Sequence, residues 1–213
     1  DIGILRKKLS KKVNLIFLEK SKVSMSIFSL IYYFYRAKPD VIISYLDHVN
    51  IIVAISKIVA TRKSKLIATV HNPFEYGDYL YYSNLKKKIY FFLLRNTLPI
   101  SNLIAPVSQG TCSSLKKLIK KKYHKKIRKI YNPITIDKLN INTSRKNKKI
   151  YRFIFVGRLH KDKGVDGILL AAKQLIQDVE NFELLIYGDG TEKRNLIKLT
   201  KRLGIHQIVR FCG

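Results

Sequence analysis

Acidic residues are scarce in this chain: 14 Asp and Glu stand against 42 Lys and Arg among 213 residues, a formal net charge of +28. Such an excess favours anionic partners, either a membrane surface or nucleic acid. Much of it is lysine in a chain also rich in Ile and Asn, so genomic compositional bias competes as a cause, and charge alone does not choose. Cysteine is nearly absent. Cys112 and Cys212 are far apart, in no metal-like or redox spacing, which argues against a zinc site and for a reducing cytoplasm. Long apolar runs are lacking too: the stretches 51–60 and 89–94 are too short to cross a bilayer, and Lys57 interrupts the first. The chain opens on Asp1, shows no signal-peptide pattern, and contains neither an internal repeat nor low complexity beyond its basic clusters. A protein that is soluble or peripheral on a membrane is expected.

What is present is enough to bury a core. With 46% apolar residues, the chain can form one large or two small domains. Apolar runs over 13–18, 41–46, 65–70, 101–107 and 127–131 read as strands, the last one half basic. Segments 25–36, 50–60, 84–95 and 109–119 between them read as helices. The near-continuous apolar character of 41–46 predicts a parallel strand covered on both faces. Residues 140–149 are polar and charged with no apolar period, and read as a linker. A second unit then alternates strand 151–156, helix 163–177, strand 182–187, helix 191–203 and strand 207–211. Strand and helix alternate throughout, so the class is α/β. The organisation expected is residues 1–139, a linker at 140–149, and 150–213.

The stretch 153–167 carries the chemistry. An apolar strand meets Gly157, then a loop with Arg158 and Lys163, then Gly164 and a helix with Asp166 in its first turn. Backbone N–H groups at that helix start would face whatever sits above the strand's carboxyl end, while Arg158 forks onto phosphate oxygens and Lys163 adds a compact charge. A diphosphate suits both. By spacing alone, the competing reading is two solvated cations among 42. Gly188-Asp189-Gly190 reads either as a tight turn between strand and helix or as a second loop near a ligand.

Gly157-Arg158-Leu159 followed by Lys163-Gly164, Asp166, Leu169 and Ala171-Ala172 resembles the donor-diphosphate motif of glycosyltransferase family 4. Lys38-Pro39-Asp40-Val41-Ile42, Thr69-Val70-His71, Pro106-Val107-Ser108 and Tyr131-Asn132-Pro133-Ile134-Thr135-Ile136-Asp137 match its acceptor-side domain in order and spacing. The resemblance implies the GT-B architecture of two Rossmann-like domains, with an acceptor-side domain lacking its first strands and a nucleotide-sugar domain only begun. It further implies strands before Val13, βα units after Gly213, and a glutamate pair that nothing here matches. The 213 residues would then be an internal fragment, inactive alone and prone to aggregation through exposed strand edges.

The activity implied is transfer of a sugar from a nucleotide-diphosphate donor, with retention of anomeric configuration, to a saccharide or lipid-linked acceptor of a cell-surface polysaccharide or glycolipid. No metal or cofactor is called for. Gly157, Arg158, Lys163 and Gly164 would bind the donor, with Arg158 and Lys163 stabilising charge on the departing phosphate. His71, at the end of a strand, would meet the donor sugar across an interdomain cleft; without the resemblance it reads as an ordinary loop histidine. His48 and His160 also lie near strand ends but carry no assigned role. Two basic tracts, Lys86-Lys87-Lys88 before Tyr90-Phe91-Phe92 and Lys116 to Lys129, read either as solvated helix faces or as contacts to an anionic membrane on the cytoplasmic side. The other function classes are a nonspecific nucleic-acid-binding module, for which no recognition motif is present, and a noncatalytic GT-B relative.

Overall fold

The computed structural model describes residues 9–18, 20–61, 63–75, 82–134, 150–179 and 181–213. The linker expected at 140–149 and the end of the 131–137 motif lie outside them. The chain divides into two compact units, Asp1–Ile136 and Asp137–Gly213.

In the first unit, helix α1 (Ile27–Ala37) follows a 3-10 turn at Val23–Ser26 and stops at Lys38, which takes a left-handed conformation (φ 44°) just before Pro39. Strand β1 (Val41–Tyr45), helix α2 (Asp47–Ala60), strand β2 (Lys65–Val70), helix α3 (Asn84–Thr97), strand β3 (Leu103–Pro106) and helix α4 (Gln109–Leu118) then alternate. The sheet is parallel, in the order β1-β2-β3, with Tyr45 opposite Thr69 and Thr69 opposite Ala105. The Ser108 side chain caps α4 by accepting from the Thr111 N–H at 3.1 Å.

Strand order that advances in one direction, with right-handed crossovers, delivers every connecting helix to the same face. Leu66, Ala68 and Val70 on that face are fully buried with Leu94, Ile104 and Leu115. Each such leucine or isoleucine contributes about 1.5–3 kcal/mol through burial. The opposite face stays open among the described residues, where Val41, Ile43 and Tyr45 are exposed. This corrects the expectation that the 41–46 strand is covered on both sides.

Two further strand expectations are corrected. Residues 13–18 form no strand, and Val13, Leu15, Ile16 and Phe17 are exposed, because no described strand lies beside them to complete a ladder. Residues 127–131 run beside β3 with one isolated bridge, Ile127 to Ile104, and N–H bonds from Arg128 and Ile130 to the carbonyls of Ile104 and Pro106. Arg128 and Lys129 interrupt its apolar residues, so Ile127 packs partly against the core while Ile130 and Tyr131 are exposed.

The second unit repeats the scheme. Strand β4 (Tyr151–Val156), helix α5 (Val165–Leu175), strand β5 (Phe182–Tyr187), helix α6 (Lys193–Arg202) and strand β6 (Val209–Phe211) give a parallel sheet in the order β4-β5-β6. Its core joins Leu159, Leu169, Leu184, Ile186, Leu196 and Ile205. The polar residue of β4, Arg152, lies opposite Glu183 and forms an ion pair with it. Ile154 and Val156 lie on the face opposite the packed one and remain exposed, as does Tyr151 at the start of the strand.

Candidate active site

At the carboxyl end of β4 the chain turns through Gly157, Arg158 and Leu159 into a 3-10 turn at Lys161–Lys163. Gly164, at φ 60°, breaks that turn from α5, so the helix begins at Val165 and not at Lys163. Asp166 sits in its first turn as expected, and no side chain caps the N-terminus. The first N–H groups of α5 therefore have no side-chain cap among the described residues, directly after Lys163 and Gly164.

This loop is fixed by the one after β5. The Gly157 N–H donates to the Tyr187 carbonyl at 3.0 Å, and the Leu159 N–H to the Asp189 carbonyl at 2.9 Å. The Glu192 N–H returns a bond to the Leu159 carbonyl at 2.9 Å. Contact is so close that a Cβ at Gly188 would fall 1.9 Å from the Gly157 oxygen, and one at Gly190 2.4 Å from the Leu159 oxygen. The turn at 188–190 is thus a tight connection and also a wall of the Arg158 loop, which joins the two alternatives left open by the sequence.

Leu159 is fully buried and anchors the loop, while Arg158 beside it points into solvent. Among the described residues, no acidic group pairs with Arg158. Lys163 is partly neutralised: its Nζ lies 3.3 Å from Asp162, whose other oxygen accepts from His160 Nδ1 at 2.7 Å. The hydrogen bond from His160 and then the Lys163 ammonium hold the Asp162 carboxyl below its ordinary value. Gly157, Arg158, Lys163 and Gly164 thus share one loop, and His160 joins them through Asp162, a role its position after a strand did not announce.

His71 belongs to the other unit, at the carboxyl end of β2. Its Nε2 is 2.9 Å from the Thr69 hydroxyl, which itself donates to the Ser44 carbonyl at 2.8 Å. A hydroxyl has one proton, already given to Ser44, so the histidine must supply the other from Nε2. In the neutral ring, Nδ1 is then the free acceptor. Tyr45 flanks the imidazole with ring centroids 5.7 Å apart.

Two residues of this edge escaped the sequence reading. Asn50 is buried, accepting from the Ser44 hydroxyl at 2.5 Å and donating to the Thr69 carbonyl at 2.8 Å, which ties β1 to β2 beneath His71. Asp47 opens α2 at 8% exposure, with Oδ1 lacking a hydrogen-bond partner among the described residues. Burial pushes its carboxyl up to about 7. The signal available was an acid at the start of a helix directly after a parallel strand. A cavity of about 770 Å³ lies at the opposite edge, lined by Tyr35, Lys38, Pro39 and Lys65, away from the carboxyl ends where parallel sheets place their ligands. Among the described residues, no group of three or more His, Cys, Asp or Glu is arranged to hold a metal ion.

Comparison with known proteins bears on the family and the fold of the chain. The chain is 29% identical over 180 residues to a Campylobacter jejuni enzyme named GalNAc-alpha-(1->4)-GalNAc-alpha-(1->3)-diNAcBac-PP-undecaprenol alpha-1,4-N-acetyl-D-galactosaminyltransferase, covering 84% of this chain and 45% of the enzyme. It spans about half the length of the curated relatives it matches. Among solved structures, the apo form of the lipopolysaccharide outer core galactosyltransferase WaaB superposes with a TM-score of 0.60 at 16% identity, covering 90% of this chain and 48% of that one. A point mutant of Staphylococcus aureus TarM, in complex with Fondaparinux, alpha-GlcNAc-glycerol and UDP, gives 0.62 at 14% identity, covering 88% and 36%. The fold is that of GT-B glycosyltransferases. The model of the family described as Glycosyl transferases group 1 matches residues 137–213, and the model of Glycosyltransferase Family 4 matches residues 8–138. With that match over more than half its length, the chain belongs to glycosyltransferase family 4.

Proposed function

We propose that the protein moves a sugar from a nucleotide-diphosphate sugar to a saccharide or lipid-linked acceptor, with retention at the anomeric carbon, in cell-surface polysaccharide or glycolipid synthesis on the cytoplasmic side of a membrane. In this reading residues 1–139 serve the acceptor and 150–213 begin the donor domain. The observation that carries it is the Arg158 loop, held rigid by the 188–190 turn beside an uncapped helix N-terminus. The Campylobacter relative is named for transfer to a diphospho-undecaprenol saccharide, and the TarM structure contains UDP. The first supports a lipid-linked acceptor and the second a nucleotide-diphosphate donor.

When the bond between the anomeric carbon and the β-phosphate oxygen breaks, its electron pair stays on the phosphate. Fixed cations there lower the barrier because they need no reorganisation as that charge grows. Arg158 supplies a guanidinium that no acid pairs with among the described residues, and Lys163 an ammonium shared with Asp162. Gly157 and Gly164 keep side chains away from the approaching diphosphate. His71 offers its free Nδ1 to a sugar hydroxyl, a positioning bond that leaves the acceptor proton to other groups.

In the full-length enzyme, Arg158→Ala and Lys163→Ala should each lower turnover by roughly 10² to 10³. Both side chains are exposed, so folding stability should change by less than about 0.5 kcal/mol. Wild-type turnover at saturating donor in both variants would remove the assignment.

A further inference from the structure

The inner face of α3 is spent on the core, where Leu94 and Thr97 are buried and Tyr90, Phe91 and Leu93 pack against it. Its outer face is also apolar. Leu85, Ile89 and Phe92, spaced to form one row along the helix, are 69%, 52% and 67% exposed. Lys88 and Arg95 border the row on one side and Lys86 on the other, and among the described residues no acid pairs with any of the three. Beside the row, Lys87, Lys88, Phe91, Arg95 and Leu118 line a groove of about 570 Å³. No described helix is long and apolar enough to cross a membrane.

We propose that α3 docks the protein on a bilayer of anionic phospholipid, with Leu85, Ile89 and Phe92 entering the boundary between headgroups and acyl chains and Lys86, Lys88 and Arg95 meeting lipid phosphates. An apolar row flanked by cations is the pattern of a helix lying in the interface plane. A second copy is disfavoured by the same charges: a two-fold contact would bring the cations of one row against those of the other. Nucleic acid is disfavoured by the row itself, since Leu85 and Ile89 offer nothing to a phosphate backbone.

The other basic tract serves this purpose less well, because several of its cations are engaged within the fold. Lys126 donates to the carbonyls of Pro99 and Ser101 at 2.6 and 3.0 Å, Lys129 reaches Gln109 at 3.1 Å, and Lys117 pairs with Glu75 at 3.4 Å. This narrows the membrane-facing surface from the general basic excess to one helix.

The test is co-sedimentation of the chain with vesicles of phosphatidylcholine alone or with about one third phosphatidylglycerol. Binding is expected only to the anionic vesicles. The pair Lys88→Ala and Arg95→Ala should weaken it roughly thirty-fold, at about fivefold per cation removed. The pair Leu85→Ser and Phe92→Ser should weaken it with charge unchanged, whereas Lys198→Ala with Lys201→Ala on α6 should resemble wild type. Far-ultraviolet circular dichroism of each variant keeps loss of fold separate from loss of docking. Wild-type binding by both α3 pairs, an equal loss from the α6 pair, or a stripe-dependent self-association seen without lipid would each overturn the proposal. None of these readouts involves sugar transfer, so failure here leaves the donor-site reading standing.

Discussion

Gly188 and Gly157 meet where β4 and β5 end, so closely that a single added carbon on Gly188 would sit 1.9 Å from the Gly157 carbonyl oxygen. Gly188 also has φ 138°, a conformation that side chains oppose. The position of the Arg158 loop therefore depends on the absence of a side chain in the neighbouring loop, and one glycine acts on the site through another.

Gly188→Ala should cost about 2–4 kcal/mol through the enforced shift of the Gly157 carbonyl. Gly164→Ala should cost only about 1 kcal/mol, because its φ of 60° is unfavourable to alanine but nothing lies within 4 Å of the added carbon. Urea unfolding of the two variants checks the order. Equal losses would mean that conformation, not contact, limits both positions.

Asp47 should make stability fall as pH rises. Its carboxyl is near 7 in the folded state and near 3.8 when unfolded, so between these values the folded state holds a proton that the unfolded state has released. Stability is then fully retained below about pH 4 and lost progressively up to pH 7, by on the order of 4 kcal/mol. Asp47→Asn should flatten that slope and be the more stable protein at pH 8. Parallel stability–pH curves for the two proteins would show that the carboxylate is not buried in this way.

The Thr69 hydroxyl should set the tautomer of His71. Nitrogen NMR shifts of the neutral ring are expected to show a protonated Nε2 and a bare Nδ1. Thr69→Val removes the acceptor, so the preference should weaken, and loss of the bond to the Ser44 carbonyl should cost about 1–2 kcal/mol. A wild-type ring with its proton on Nδ1 would reverse the role assigned to Thr69.

Strands whose apolar runs are bounded by turn residues were legible to the residue: 65–70, 151–156 and 182–187 match β2, β4 and β5. The start of α2 was less legible, because 47–49 reads as loop until the fold buries Asp47, and the sequence placed Asn50 in the helix without announcing its burial. The bonds that make Asn50 a core residue come from Ser44 and Thr69, on two different strands. Segment 13–18 has the composition of a strand, yet composition cannot provide the neighbour that a ladder needs.

The α/β alternation, the family and the loop that groups Gly157, Arg158, Lys163 and Gly164 could all be read from residue order, since each depends on neighbours along the chain. Folding in three dimensions was needed to show that Gly188 braces that loop, that Lys163 and His160 share Asp162, that the Thr69 hydroxyl lies between His71 and the Ser44 carbonyl, and that the apolar row of α3 faces outward. Those outcomes depend on which backbone segments approach within a few ångströms. Local pattern does not encode such approaches; they follow from strand order and from the one-sided stacking of helices that it imposes.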